Sequence, residues 1–598
     1  MELSRSLFHF ENGMRCSQFC GCLRWTLLLV LGLFAGGMCG QSPRATAGSG
    51  KALQQADVAF KAGYAAMQAG RLEEARRDFA ETVRLAPIVP EARVALGAIL
   101  VQLGRPDEAI VQFDEALRLK PGDAATETNL VLAQEALAQK LAGTKELPEA
   151  ERQMRAALAG QLELDRSSGA AGSVRAAALE DELGSVLAQE ERWPEAEAAF
   201  RESLRLNPDK GASAGPHMHL GVALLEEKQN EGALTELETA AEEAPKSALA
   251  QFELGRGLSA SGRDEEAIAC YRQAETLAAD GAKGAVIPGL ALQLGMAEQR
   301  LGRQQESIPY FQKAIEQEPH NATALTNMGL ALTQTGKAAD AMPYFERALA
   351  ETPKDAVVLE DAGVAELQQS HFEASIARFQ AALLLDSGNP QLHYDLGLAY
   401  KLKDRIDDAI RELKEAARLD ATLPDPPYTL GILYMQTGKL EDAATQLRAA
   451  LAVRPDNGDG WAILGSTLKQ IGKLAEAEEA LRKAIQLLPN QPGPHITLAG
   501  VLAEEAKRDE ATAERKVAAE LSRTAVNRQR ATFSTNAGNQ QLLRGDVEGA
   551  VGRYLDAIAA DPSYLEAHAQ LAVAYERQGR LEDAKAERKK AEGMTTSN

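Results

Sequence analysis

Cysteine is almost confined to the start of the chain: Cys16, Cys20, Cys22 and Cys39 lie there, and Cys270 alone serves the rest of 598 residues. No disulfide framework can staple such a body. Positive charge is also short, with 65 Lys and Arg against 86 Asp and Glu, and the net charge of −21 repels phosphate backbones and anionic head groups. A nucleic-acid-coating or membrane-surface role is thereby disfavoured. Aromatics make up only 5% of residues, which argues against a core built on large rings. One apolar run stands out, Trp25 to Ala35 (WTLLLVLGLFA), and it falls short of the roughly 20 residues that comfortably span a bilayer.

What surrounds that run reads as an address. Arg15 and Arg24 precede it, and Gly36-Gly37-Met38-Cys39-Gly40 and Gln41-Ser42-Pro43 follow. This is the order of a secretory signal peptide, expected over 1–40, with a linker over 41–55 and an exported, periplasmic body. The alternatives are a membrane anchor through 25–39 or lipidation at Cys39, whose flanks Gly36 and Met38 fit a lipobox poorly. Met14 offers a second start. Cys16 and Cys20-x-Cys22 sit in this leader, which disfavours reading them as a metal or redox site.

Set against itself at an offset of about 34 residues, the body repeats one phrase: GRLEEA at 70, GRPDEA at 104, GRDEEA at 262, GKLEDA at 438 and GRLEDA at 579. With repeats starting at Ala56, Pro90, Ala177, Ala214, Ala248, Pro288, Ala322, Ala356, Pro390, Pro424, Gly458, Pro492, Ala531 and Leu565, position 8 is Gly in twelve of fourteen. Position 20 is Ala or Ser, position 24 is usually Phe, Tyr or Leu, and position 32 is Pro in nine. Apolar positions 4, 7, 8 and 11, then 20, 24 and 27, are spaced by three and four, so each repeat is two amphipathic helices. Gly at position 15 in nine repeats ends the first helix, and Pro near 32 stops the second. Without a side chain at 8, facing Ala at 20, the two axes approach closely. One pair cannot bury its stripe alone, so neighbours must stack.

This pattern resembles the tetratricopeptide repeat. The resemblance implies an all-α, right-handed superhelical solenoid of about 14–15 helix pairs. The reading divides the body into an array over 56–164 whose last pair is degenerate, a flexible joint over 165–176, an array over 177–281, an array unbroken in phase over 288–525, and a C-terminal pair and cap over 531–598. In the degenerate pair Ala150, Met154 and Ala157 take slots 20, 24 and 27; short insertions fall at 211–213 and 282–287. Between Gly500 and Gly538 neither Gly nor Pro occurs, so an overlong second helix is expected there.

Residues that could carry chemistry fit the repeat better than a reaction. His217, His393, His495 and His568 all sit at position 4, filled elsewhere by Trp461 and Leu359, and read as packing residues. His219 is two residues from His217, on another side of a helix. His320 and His371 fall at a repeat junction and a helix end. Gly257-x-Ser259-x-Ser261 lacks the closing Gly of a nucleophile elbow, and Asp456-Asn457-Gly458-Asp459-Gly460 lacks the later ligands of a calcium loop. Phosphate-cradling loops and H-E-x-x-H are absent. The expectation is no enzyme, no cofactor and no metal. A hydrolase or transferase accessory hidden in 124–176 is the alternative, against which stands the lack of His and Cys there.

In arrays of this family the concave groove is lined by first helices at positions 2, 5, 9 and 12. Here those slots include Phe252, Arg256, Met296, Glu360, Tyr394, Leu398, Lys401, Tyr428, Ile432, Met435, Lys469 and Ile496. Aromatics and Met on such a face are typical recognition anchors, so Tyr394, Lys401, Tyr428, Met435 and Lys469 are the candidate partner-binding residues. The competing reading packs the tyrosines and Met435 against one another and neutralises the lysines with Glu. The Lys/Asn carboxylate clamp and the asparagine ladder known in the family are missing. Exopolysaccharide-export proteins share only the scaffold half. The sequence therefore reads as a non-catalytic scaffold or adaptor for protein or peptide partners, binding no nucleic acid and inserting no part of the mature chain in a membrane.

Overall fold

The structure is a computed structural model that describes residues 49–169, 173–207, 213–280 and 286–595. The expected leader, its four cysteines, and parts of the joint and insertions lie outside the described residues. Among the described residues every regular element is an α-helix. Numbered in chain order they run from α1 (Ser49–Gln68) and α2 (Leu72–Leu85) to α29 (Leu581–Thr595). Odd-numbered helices are the first helices of repeats as far as α25 (Pro492–Glu504), and within each unit they pack on the even-numbered helix that follows. The chain divides into two compact units, Met1–Lys337 and Ala338–Asn598, each over its described residues an all-α stack of helix pairs.

The slots behave as steric chemistry requires, with one refinement. A Cβ on the position-8 glycine would meet the position-24 side chain rather than Ala at 20: Gly97 against Phe113 at 2.6 Å, Gly255 against Tyr271 at 2.4 Å, Gly397 against Leu413 at 2.8 Å. Where 24 is Leu, the position-20 carbonyl comes next, 3.5 Å away at Ala409. The rings of Phe79, Phe113, Phe200, Phe311 and Phe379 are essentially without exposure, because each lies over a glycine of the partner helix.

Position 15 is left-handed throughout, and not only where it is glycine. Gly70, Gly262 and Gly438 have φ of 73–75°, and Glu191, Lys228, Ser370, Asp404 and Ala506 adopt φ of 61–64° in the same slot. The N–H of residue 16 then bonds the carbonyl of residue 11, as from Arg71 to Ala66 (2.9 Å) and from Lys439 to Tyr434 (2.8 Å). Position 34 closes the other end: Asp123, Ser247, Asn321, Asp355, Asn389 and Asn457 each cap the next first helix by accepting from its backbone N–H groups. Asn457 accepts from the Gly460 N–H at 2.9 Å, so the loop resembling a calcium site is a helix cap.

The position-4 histidines need a correction. They are structural, but through hydrogen bonds rather than apolar packing. His217, His393, His495 and His568 donate from Nδ1 to the carboxylate nineteen residues on, Glu236, Glu412, Glu514 and Glu587, at 2.5–2.8 Å. Arg93 makes the same bridge to Gln112 (3.1 Å). The slot also faces the position-32 carbonyl of the preceding repeat, reached by His568 Nε2 at Pro562 (3.0 Å) and by Trp461 Nε1 at Pro455 (2.9 Å). Position 4 thus ties three segments together. His219 pairs with buried Asp181 at 2.8 Å, and His371 with Glu366 at 2.7 Å.

Two irregular places acquire definite form. The degenerate pair is a full pair, α5 (Ala124–Gly143) and α6 (Leu147–Ser168), with Ala150, Met154 and Ala157 buried at their slots. The described part of the expected joint is helix up to Ser168; α7 (Val174–Gln189) is capped by Ser173, whose hydroxyl also bonds Asp165 at 2.7 Å. The overlong helix is α26 (Arg508–Leu543), 36 residues in which the second helix of one repeat runs without a break into the first helix of the next.

Gly397→Leu is expected to lower stability by about 1–3 kcal/mol through overpacking against Leu413, with a change in Trp461 emission. Ala506→Gly is expected to raise it by about 1 kcal/mol, because the left-handed conformation costs a β-carbon about that much. Urea unfolding followed by circular dichroism and fluorescence measures both.

Candidate functional site

The candidate residues all lie in the second unit, on successive first helices: α19 (Pro390–Leu402) carries Tyr394 and Lys401, α21 (Asp425–Gln436) Tyr428 and Met435, and α23 (Gly458–Ile471) Lys469. Tyr394 is half-buried against the cluster of Phe379, Leu396 and Leu430; burial pushes its phenol pKa up, with the Thr429 hydroxyl of the next first helix opposing. Tyr428 is half-buried against the following cluster, around Leu447 and Leu464, and burial raises its pKa too. Met435 touches both clusters, and its sulfur accepts from the Thr467 hydroxyl at 3.1 Å, so it is a wedge between repeats. Lys469 reaches Glu504 at 3.4 Å over the bare backbone of Gly500. Lys401 is half-buried, and among the described residues no carboxylate pairs with it.

The same helical face differs between the units. In the first, Phe252 is buried at 3% exposure against Tyr271, and Arg256 lies between Glu253 (2.7 Å) and Glu226 (3.3 Å), so neither slot is open surface. Burial holds the Glu253 carboxyl above its ordinary range, and Arg256 opposes it. Earlier in the chain, buried Glu135 pairs with Arg175 while burial and Glu182 push its pKa up to about 8. That shifted acid in 124–176 is held by an arginine, and neither His nor Cys occurs in the segment.

In the second unit the acids are left open. Glu360 and Asp361 on α17 (Ala356–Gln368) and Asp395 on α19 occupy positions 5 and 6 of neighbouring first helices, half-buried, and among the described residues none pairs with a basic side chain. Asp395 accepts only from the Gln391 amide, at 3.1 Å. Burial first, then Glu360 and Asp355, pushes Asp361 up to about 7; burial, then Glu360, does the same to Asp395, with Gln391 opposing. Position 6 was not among the groove slots of the sequence reading. The available signal was two consecutive aspartates there with no nearby Lys or Arg at positions 2, 5 or 9.

Among the described residues no group of three or more His, Cys, Asp or Glu side chains could hold a metal, and no helix is long and apolar enough to cross a membrane. Ser259 of the near-miss motif lies on a helix and donates to Asp264 at 2.7 Å.

The tetratricopeptide repeat family profile matches residues 60–124, 217–282, 292–356, 360–424, 428–492 and 536–591, well over half of the chain. The chain belongs to the tetratricopeptide repeat family, and it is a protein–protein interaction module of that type. No curated protein matches it in sequence. Among solved structures it is similar to YrrB, described as a TPR protein with an unusual peptide-binding site, at 23% identity over 31% of this chain and 95% of that one, TM-score 0.28. It is similar to PilF of Pseudomonas aeruginosa at 18% identity over 36% and 96%, TM-score 0.32. MamA of Desulfovibrio magneticus RS-1 matches at 19% identity over 28% and 96%, TM-score 0.27.

Raised carboxylate pKa values mean that the folded state binds protons more tightly than the unfolded chain. Their contribution is therefore full below about pH 4 and is lost as pH rises through about 7. Asp361→Asn with Asp395→Asn is expected to flatten that part of the stability–pH curve and to add about 1 kcal/mol per site at pH 8, after allowance for solvent screening. Urea midpoints at pH 4.5 and pH 8 test it.

Proposed function

We propose that the chain is a non-catalytic scaffold or adaptor of the bacterial cell envelope, gripping peptide or protein partners along a concave face built from its first helices. The observation that carries this reading is the state of that face in the second unit. Among the described residues Lys401 has no counter-ion and Glu360, Asp361 and Asp395 have no cation; Tyr394, Leu398, Tyr428 and Ile432 are only half-covered, and Ile496 is 58% exposed. A surface that served packing alone would neutralise these charges, as the first unit does around Arg256. Several modest anchors spread over stacked repeats suit a long partner segment better than a small molecule. The leader-like composition of 1–40 supports the envelope placement.

The test is capture of partners from an envelope extract by the immobilised protein, with quantitative mass spectrometry. Tyr394→Ala with Tyr428→Ala, and separately Lys401→Glu, are expected to reduce the captured set at least about tenfold while helical content is kept. Undiminished capture by both variants overturns the reading.

A further inference from the structure

Helix α26 breaks the rules that the other helices keep. Ala518 and Ala531 are buried, and none of the twelve residues between them is. That span is continuous helix without a fully buried residue. From Lys507 to Arg530 it carries seven basic residues and four acidic ones, and Leu521 to Arg530 has no acid at all, in a chain whose net charge is −21.

The exposed residues of this span are ordered. Lys516, Ala519, Arg523, Val526, Arg530 and Phe533 recur at spacings of three and four, so they form one stripe alternating cation with apolar group, and all six are exposed. Val526 is 55% exposed and Phe533 76%. Among the described residues Lys516, Arg523 and Arg530 pair with no acid, whereas Arg528, off the stripe, is held by Asp561 at 2.8 Å and lies over the Tyr564 ring. The stripe thus lacks both a cover and counter-charges. The first-helix face at Asp361 and Asp395 has the opposite deficit.

We infer that the α26 stripe of one copy docks on the acid-lined first-helix face of a second copy, with Arg523 and Arg530 against Asp361 and Asp395. The inference rests on the reading of that face as a binding surface. Asp361 and Asp395 hold the same position on the first helices of adjacent repeats, and Arg523 and Arg530 stand one heptad, about 10.5 Å, apart on one stripe, so a helix laid across those first helices offers one cation to each repeat. Val526 and Phe533 then fall among Tyr394, Leu398 and their neighbours. Two α26 stripes repel each other, so the contact joins different surfaces of the two copies. Such head-to-tail contacts close into rings or run on as chains.

The experiment is sedimentation velocity of the purified full chain over a concentration series at pH 8, where Asp361 and Asp395 are ionised, at about 0.05 M and about 0.5 M salt. Concentration-dependent association that weakens with salt is expected. Arg523→Glu with Arg530→Glu alters only exposed residues and is expected to weaken association at least tenfold, as is Asp361→Lys with Asp395→Lys; circular dichroism checks the fold of each. Mixing the two variants restores complementary faces and is expected to restore association. A chain that stays monomeric throughout, association unmoved by the α26 pair, or a mixture of folded variants that fails to associate overturns the inference. Capture of other partners through Tyr394, Lys401 and Tyr428 is measured separately, so loss of self-association leaves the groove reading to its own test.

Discussion

The missing side chain at position 8 is the constraint on which the rest of the structure depends. In every repeat where the glycine sits over its partner helix, a β-carbon would come within 2.4–2.9 Å of the position-24 side chain, closer than carbon atoms pack. That approach lets a ring or a leucine close over bare backbone, and it makes the helix pair a fixed unit rather than two amphipathic helices in loose contact. Left-handed position 15 sets the turn inside the pair, and the position-34 cap sets the turn between pairs. Pairs so defined differ little from one another, which is why a chain with few aromatics and no disulfide framework can extend the same core indefinitely.

A core satisfied pair by pair leaves the outward residues of the first helices free to vary, and the two units have used that freedom differently. Around Arg256 and His219 the first unit turns charge inward and pairs it. The second unit keeps half-buried carboxylates without cations, an arrangement that costs stability above neutral pH. Functional surfaces are where such local costs persist, because the compensating charge arrives with the partner.

Slots 8 and 20 were legible in the sequence because steric demands there admit one or two residue types, and slots 15, 24 and 32 because Gly, a large apolar group and Pro recur there in most repeats. The fold and its pairing followed from them. Position 4 was misread in kind: His, Arg and Trp are interchangeable there as donors to position 23 or to the preceding carbonyl, and a rule based on apolar spacing registers only their bulk. Left-handed Glu191 and Lys228 were invisible because the neighbouring helices impose a conformation their own preferences oppose. At the candidate site, the sequence located Tyr394, Tyr428 and Lys401 on one face of successive helices. It could not separate Met435 and Lys469, engaged by Thr467 and Glu504, from Lys401, because that difference lies in contacts between repeats.

Helix α26 follows from the same logic taken to its limit. A turn between repeats needs a breaker, and between Gly500 and Gly538 the chain supplies none, so the helix that closes one repeat continues until it opens the next. Continuity removes the packing that a turn would have enforced, and the middle of the helix has no core to join. Helices without a core are ordinarily polar all round or laced with internal ion pairs. This one instead places Val526 and Phe533 in register with Arg523 and Arg530, and its few acids lie before Leu521. An exposed phenylalanine and unpaired arginines on one stripe add nothing to the stability of an isolated helix. Their register has a physical use only against a second surface that is acidic and apolar at the same interval.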